Sequence, residues 1–142
     1  MLLAGLRRTH VMSSAGETTA AQWREFAAAP PPGARSAFRY GALCGSDVDR
    51  REFDYLTAAE VEGPEGLPEH LERLSVPAAR YAVFVHQQGL TDLREAWSAI
   101  LTKWLPTSGF NPGERPEFER LDGRFDFKTG EGAIELWFPI TE

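Results

Sequence analysis

The stretch 133–140 carries the residue pair best suited to chemistry, an acid two positions before a tryptophan. Side chains of a strand alternate between its two faces, so one face of this stretch is wholly apolar and the other carries Glu135 and Trp137. A carboxylate beside an indole can anchor a ligand in an aromatic pocket. It can equally be a solvated charge on an open sheet face, and the alternation alone leaves both interpretations open.

Other reactive residues point to no catalytic or metal site. The three histidines lack metal-ligand spacing; they are His10, His70 and His86. The single cysteine, Cys44, follows a strand-like run and is expected to be a small, buried apolar residue. The acidic pair Glu117 and Glu119 lies near predicted loops and is interpreted as solvated charge. We therefore predict no catalytic residue, no metal and no cofactor.

Charge and composition narrow the class of protein. The chain has 142 residues, a net charge of −6 and a single short basic cluster, Arg7-Arg8. Nucleic-acid binders need clustered lysine and arginine, so direct nucleic-acid binding is not expected. A lone cysteine forms no internal disulfide, and no apolar run reaches the ~20 residues of a membrane span or resembles a signal peptide. A cytoplasmic protein is expected.

The elements that must position Glu135 begin with a strand over 2–10 and a helix over 20–29, which Pro30-Pro31-Pro32-Gly33 ends. Strands are predicted over 37–43 and 52–61, with a short helical turn over 67–74.

The same order then repeats. The strongest strand is predicted over 76–86, and an apolar stripe from Leu93 to Trp104 predicts a helix that Thr91 caps and Pro106 ends. Strands over 118–121 and 133–140 follow. The repeated order indicates an internal duplication, with halves at 1–62 and 75–142 sharing one domain over 1–142.

Several segments, in this order and spacing, resemble gyrase-inhibitor-like effector-binding domains. They are Phe53-Asp54-Tyr55-Leu56, the stretch 75–84, Trp97 with Trp104-Leu105-Pro106, Ser108-Gly109-Phe110, the stretch 115–122, and 135–140. Domains of this family occur behind AraC-type and MerR-type DNA-binding domains and also alone. Since nothing precedes the first strand, no helix-turn-helix fits, and a stand-alone member is expected.

The resemblance implies an α+β fold with two pseudo-twofold-related strand-helix-strand-strand units. It places the helices on one face of an antiparallel sheet and a ligand groove on the other. It also implies a pocket glutamate that attracts lipophilic cations, which corresponds by position to Glu135, and so favours the pocket interpretation. The expected ligand-binding residues face away from the helices, apart from two helix tryptophans at the pocket floor. They are Phe38, Tyr40, Tyr55, Tyr81, Glu135, Trp137, Trp97 and Trp104.

The function expected from this resemblance is the binding of a small lipophilic or cationic effector, in the manner of multidrug-binding domains of transcription regulators. Two alternatives stay open. The first is a hydrolase of strained electrophiles that uses the pocket glutamate as a general base. The second is a protein-interaction module whose partner is gyrase or a DNA-binding regulator.

Overall fold

Strands with alternating apolar and polar residues build one antiparallel sheet with two differently covered faces. The computed structural model describes residues 1–142. Its strands are β1 (Leu2–Val11), β2 (Arg39–Asp47), β3 (Glu52–Val61), β4 (Glu72–Ser75), β5 (Tyr81–His86), β6 (Asn111–Pro112), β7 (Phe118–Leu121) and β8 (Ile134–Thr141). Their order in the sheet is β4-β1-β3-β2-β7-β8-β5, and the short β6 pairs with the end of β8.

The middle of the sheet joins segments that are far apart in the sequence. β2 pairs with β7, and this antiparallel register sets Gly41 opposite Glu119 and Ala42 opposite Phe118. No other strand pair links the first three strands to the last four. Side chains of β2 and β7 therefore form the centre of both sheet faces.

The helices cover one face of the sheet. Helix α1 (Ala15–Ala28) follows the short 3-10 turn Met12–Ser14 and buries three side chains, Gln22, Trp23 and Phe26. Helix α2 (Leu93–Ala99) buries none fully; it continues as a π-helical segment, Ile100–Trp104, and a last turn, α3 (Leu105–Ser108). The second helical unit is thus less deeply anchored than the first. None of these helices is long and apolar enough to cross a membrane.

Each face has its own apolar cluster. The cluster between sheet and helices consists of Leu6, Trp23, Phe26, Tyr55, Ala59, Leu71, Ile100, Leu121, Phe125, Ile134, Leu136, Phe138 and Ile140. The cluster on the opposite face consists of Leu3, Tyr40, Ala42, Leu56, Ala58, Val76 and Phe118, with half-buried Phe38, Tyr81 and Trp137 against it. The strand alternation expected over 133–140 is confirmed, because Ile134, Leu136, Phe138 and Ile140 face the helices and Trp137 faces the other way.

The α+β class and the antiparallel sheet with helices on one face are confirmed, while four local predictions were wrong. The segment 67–74 does not form a helical turn; it leads into β4, which pairs with the outer edge of β1. The strand predicted over 76–86 starts only at Tyr81. The duplication into 1–62 and 75–142 stays a prediction.

The second helix does not end at Pro106. That residue lies in α3, directly after the π-helical segment, and the chain turns at Gly109 with φ +80 instead. Asp92, rather than Thr91, occupies the N-cap position, and it makes no side-chain capping bond.

Candidate functional site

Glu119 is the most deeply buried carboxylate described by the structure. It lies on β7, in the centre of the sheet, and its side chain faces the helices. Only 6% of the residue is exposed. Our interpretation of Glu119 as a solvated charge was therefore wrong, because its strand pairs with β2 and β8 and its face is covered by α1 and α2.

Both hydrogen-bond partners of Glu119 are neutral. The Tyr55 hydroxyl donates to Oε1, and the Trp97 indole N–H donates to Oε2 at 2.8 Å. Burial raises the pKa of the Glu119 carboxyl, and these two donors offset only part of that effect. Burial and the nearby carboxylate also raise the pKa of Tyr55 well above its usual value. The site thus favours a neutral acid unless a positive charge arrives.

A glycine makes room for this arrangement. Gly41 lies directly opposite Glu119 on β2. A Cβ at Gly41 would overlap the Tyr55 hydroxyl and would come within 2.9 Å of Glu119 Oε1. The Tyr55 side chain therefore reaches the carboxylate across a position that only glycine leaves open.

Aromatic rings from α1 and the β7–β8 connection form a row that begins next to Tyr55. The Trp23 ring meets Tyr55 edge-on at 6.2 Å and lies 5.3 Å from the ring of Phe127. Phe127 in turn contacts Phe125 at 5.1 Å. Rings present a negative face to a cation, so this surrounding suits a lipophilic positive charge.

A groove of about 480 Å³ opens next to the start of β7, and neither Glu119 nor its partners Tyr55 and Trp97 line it. Leu101 of the π-helical segment and Phe138 of β8 line it, together with the oppositely charged Glu117 and Arg115. Burial raises the pKa of Glu117, and its negative charge raises that of Glu119 further. The helix-bearing face therefore carries two carboxylates without an ion-pair partner, of which Glu117 lines the groove and Glu119 is enclosed behind it.

Glu135, on the opposite face, has a very different environment. Its Oε1 accepts a bond from Arg120 Nε at 2.6 Å and one from the Trp137 indole N–H at 3.2 Å. The Arg120 guanidinium lowers the pKa of the Glu135 carboxyl. Side-chain exposure is 32% for Glu135 and 26% for Arg120, so water reaches this ion pair.

Arg120 also occupies the aromatic slot next to Glu135. Its guanidinium carbon lies 4.2 Å from the centre of the Phe38 ring and 5.1 Å from that of Trp137. Trp137 stacks on Phe118 at 5.3 Å, and Tyr81 contacts both rings. The position that a cationic ligand would take beside Glu135 is thus filled by the chain's own arginine.

The sequence matches one family model over residues 4–140, described as Cass2, integron-associated effector binding protein. The chain belongs to this family. The resemblance found in the sequence is therefore confirmed, and the protein is a small-molecule effector-binding domain related to those of transcription regulators.

Two curated relatives match part of this effector-binding domain. The transcriptional regulator BrlR of Pseudomonas aeruginosa is 33% identical over 90 residues, which cover 63% of this chain and 33% of BrlR. A DNA gyrase inhibitor of Erwinia billingiae is 36% identical over 84 residues, covering 57% of this chain and 49% of the relative. The match therefore spans half or less of the length of either relative.

Solved structures share the fold. SAV2435 bound to tetraphenylphosphonium superposes with a TM-score of 0.66 at 15% identity, covering 99% of this chain and 88% of that one. An integron cassette protein of Vibrio cholerae gives 0.63 at 12% identity, covering 99% and 90%. At these identities the likeness establishes the architecture alone.

Five of the eight residues predicted to bind ligand in this effector-binding domain lie together on the face away from the helices. They are Phe38, Tyr40, Tyr81, Glu135 and Trp137. Tyr55 was predicted there too, and that prediction was wrong: β3 turns its ring toward α1, where it meets Trp23 and Glu119. Whether these residues bind ligand stays a prediction.

The two helix tryptophans have different neighbours. Trp97 donates a hydrogen bond to Glu119, whereas Trp104 packs edge-on against Phe84 at 4.9 Å and lies near Phe110 at 6.3 Å.

Glu119 itself was not predicted as a site residue from the sequence. The signal that could have found it is Gly41, a glycine in the middle of a predicted strand, which often marks a close approach of another group. No group of three or more His, Cys, Asp or Glu residues is arranged to hold a metal ion.

Proposed function

We propose that the protein binds a lipophilic cation on the helix-bearing face of the sheet, with Glu119 as its anionic anchor. The observation that carries this proposal is a buried carboxylate bonded only to two neutral donors, Tyr55 and Trp97. A buried ionised carboxylate without a counter-ion is costly, and a cation removes that cost. Aromatic rings around it add cation–π attraction and apolar contact.

Access to Glu119 requires movement of α2, because the carboxylate is enclosed. Trp97 lies on this helix, which has no fully buried side chain and continues into a π-helical segment. Segments with few buried contacts open at low free-energy cost, and π-helical turns are frequent at functional sites. A cation entering from the groove beside Leu101 and Glu117 would separate Trp97 from the carboxylate and take its place.

Glu135 and its aromatic neighbours remain the alternative site for the same ligand. A cation binding there must displace Arg120 from its ion pair and from its contacts with Phe38 and Trp137. The positive charge of the ligand would then only replace that of the Arg120 guanidinium beside Glu135. We therefore rank the Glu119 site first.

Thermal unfolding in the presence of tetraphenylphosphonium, the cation bound by SAV2435, tests the proposal. At a concentration one hundred times Kd, the ligand should stabilise the wild type by about 2.7 kcal/mol, seen as a rise in Tm. Glu119→Gln should lose most of this rise and the matched Glu135→Gln should keep it. Neutral triphenylphosphine oxide should give little stabilisation of either.

Three outcomes of this experiment would count against the Glu119 site. Loss of the Tm rise in Glu135→Gln alone would indicate that the ligand binds on the opposite face of the sheet. An equal rise in Tm with the neutral triphenylphosphine oxide would mean that the charge of Glu119 does not contribute to binding. A wild type that melts independently of a panel of lipophilic cations would contradict the proposed ligand class.

A second candidate function is regulation of a protein partner, which the relative named DNA gyrase inhibitor favours. In this role the acidic chain, with its net charge of −6, would bind a basic surface of gyrase or of a DNA-binding regulator in the cytoplasm. Inhibition of gyrase supercoiling that weakens with salt would support it, and no inhibition at low salt would exclude gyrase as the partner.

A further inference from the structure

The two edges of the sheet differ in how they are protected. At one edge, β4 is only four residues long and carries Glu72 and Arg73. At the other edge, β5 runs for six residues, Tyr81–His86, without a lysine, arginine, acid or proline. Charged residues and short length normally prevent an edge strand from pairing with another chain. By this criterion β4 is protected and β5 is open.

The backbone of β5 presents regularly spaced bonding groups to the outside. Ile140 N donates to Arg80 O at 3.0 Å, so residue 80 faces β8. Along an antiparallel strand the bonded direction alternates, so residues 82, 84 and 86 also face β8. The N–H and C=O groups of Tyr81, Val83 and Val85 therefore point away from the sheet.

The side chains of this edge are apolar and exposed. Val83 is 44% exposed and Val85 59% exposed, which places both among the most exposed large apolar residues of the protein. They lie on the face away from the helices, next to the half-buried rings of Tyr81 and Trp137. Val83 and Val85 therefore combine unpaired backbone N–H and C=O groups at the sheet edge with exposed apolar side chains.

We propose that β5 pairs with β5 of a second copy of this chain, antiparallel and about a twofold axis at Val83. In this register Val83 lies opposite Val83 of the partner subunit, and Tyr81 lies opposite Val85 of the partner subunit. All three outward residues then exchange both backbone hydrogen bonds, and the apolar side chains meet as cross-strand pairs.

The self-complementarity of this register identifies the occupant. The outward sequence Tyr81, Val83, Val85 pairs with its own reverse without setting any charge opposite a like charge. Two-fold contacts of this kind close after two copies, so they give a dimer rather than a fibre. The pairing joins two sheets at their β5 edges and leaves both helix-bearing faces accessible.

Sedimentation equilibrium over a range of protein concentrations tests the proposal. The wild type should pass from 15.8 kDa to twice that mass as the concentration rises. The double variant Val83→Lys/Val85→Lys should raise the dimer Kd at least tenfold, because it places four ammonium groups at the junction. Val48→Lys, at a valine 77% exposed in the β2–β3 turn, should leave the Kd unchanged.

A wild type that stays monomeric up to about 1 mM would overturn the proposal. So would a double variant that dimerises as well as the wild type, because the contact would then lie elsewhere.

Amide hydrogen exchange of the wild type gives a readout that does not depend on the folding of any variant. The outward N–H groups of Val83 and Val85 should exchange more slowly as the concentration rises, whereas that of Val48 should not change. If the mass doubles while the Val83 amide keeps its exchange rate, β5 is not the contact and the proposal fails.

Discussion

Glu119 and Glu135 are the same chemical group on two faces of one sheet, and each accepts a hydrogen bond from a tryptophan. Their pKa values are nevertheless shifted in opposite directions. The difference depends on Arg120, which follows Glu119 in β7. Its side chain points to the opposite face of the sheet and pairs with Glu135. Each strand residue can neutralise only the face it points to.

Under the proposed function, Glu119 is the carboxylate that anchors a ligand and Glu135 is a structural one. On the face away from the helices, the acid, the cation and the rings are all supplied by the chain and are partly wetted. On the helix-bearing face, the acid and the rings are present, and no lysine or arginine forms an ion pair with Glu119. The proposal therefore rests on burial without a counter-ion, rather than on the presence of a glutamate beside a tryptophan.

The largest effect is expected when the space around Glu119 is filled. In Gly41→Ala the new methyl group overlaps the Tyr55 hydroxyl and crowds Glu119 Oε1, so the free energy of unfolding should fall by about 1–3 kcal/mol. Gly45→Ala, on the same strand with nothing within 4 Å of the new Cβ, is the matched control. Urea unfolding measures both. Equal losses in the two variants would mean that the contact with Tyr55 does not determine the cost.

The sequence predicted the sheet and its two faces better than it predicted the site. The alternation in β8 correctly placed its apolar residues toward the helices, because a strand covered on one side has a strict period of two. In β7 the alternation was hidden, since Glu119 and Arg120 are both charged and face opposite sides. Only the long-range pairing with Gly41 distinguishes them, and no local pattern contains that pairing.

Tyr55 shows a second reason why the site was predicted less well than the sheet. The ring was assigned to the face of Glu135 by its aromatic character, but a shift of one residue exchanges the faces of a strand. In the structure Leu56 and Ala58 occupy the assigned face instead. A residue next to the buried acid was therefore included in the predicted site, although on the wrong side of the sheet.

The pH dependence of stability should separate the two carboxylates by sign. The raised pKa of Glu119 means that its contribution is full below the unfolded pKa near 4.5 and is lost as pH rises through the folded value. Glu119→Gln keeps the protonated hydrogen-bonding pattern, because its amide can accept from Trp97 and donate to Tyr55. This variant should therefore become more stable than the wild type, by on the order of 1–2 kcal/mol, as pH rises toward neutrality.

Glu135→Gln should show the opposite trend. The lowered pKa of Glu135 gives a contribution that is present above the unfolded pKa and is lost as pH falls through the folded value. The variant should be less stable than the wild type near neutrality, by about 0.5–1 kcal/mol since the pair is partly exposed, and equal to it in acid. Unfolding curves at several pH values measure both trends, and two variants with the same sign would break the comparison.

The last comparison removes only the tryptophan donor of each carboxylate. Trp97→Phe leaves Glu119 Oε2 buried without that bond, so the pKa of Glu119 should rise further and the protein should lose about 1 kcal/mol of stability. Trp137→Phe should cost less in hydrogen bonding, because Arg120 and water still serve Glu135. Carboxyl carbon NMR titration of each variant reports the pKa directly, apart from any loss of packing. A shift at Glu135 as large as that at Glu119 would show that the guanidinium does not control the exposed site, and the distinction between the two faces would then rest on burial alone.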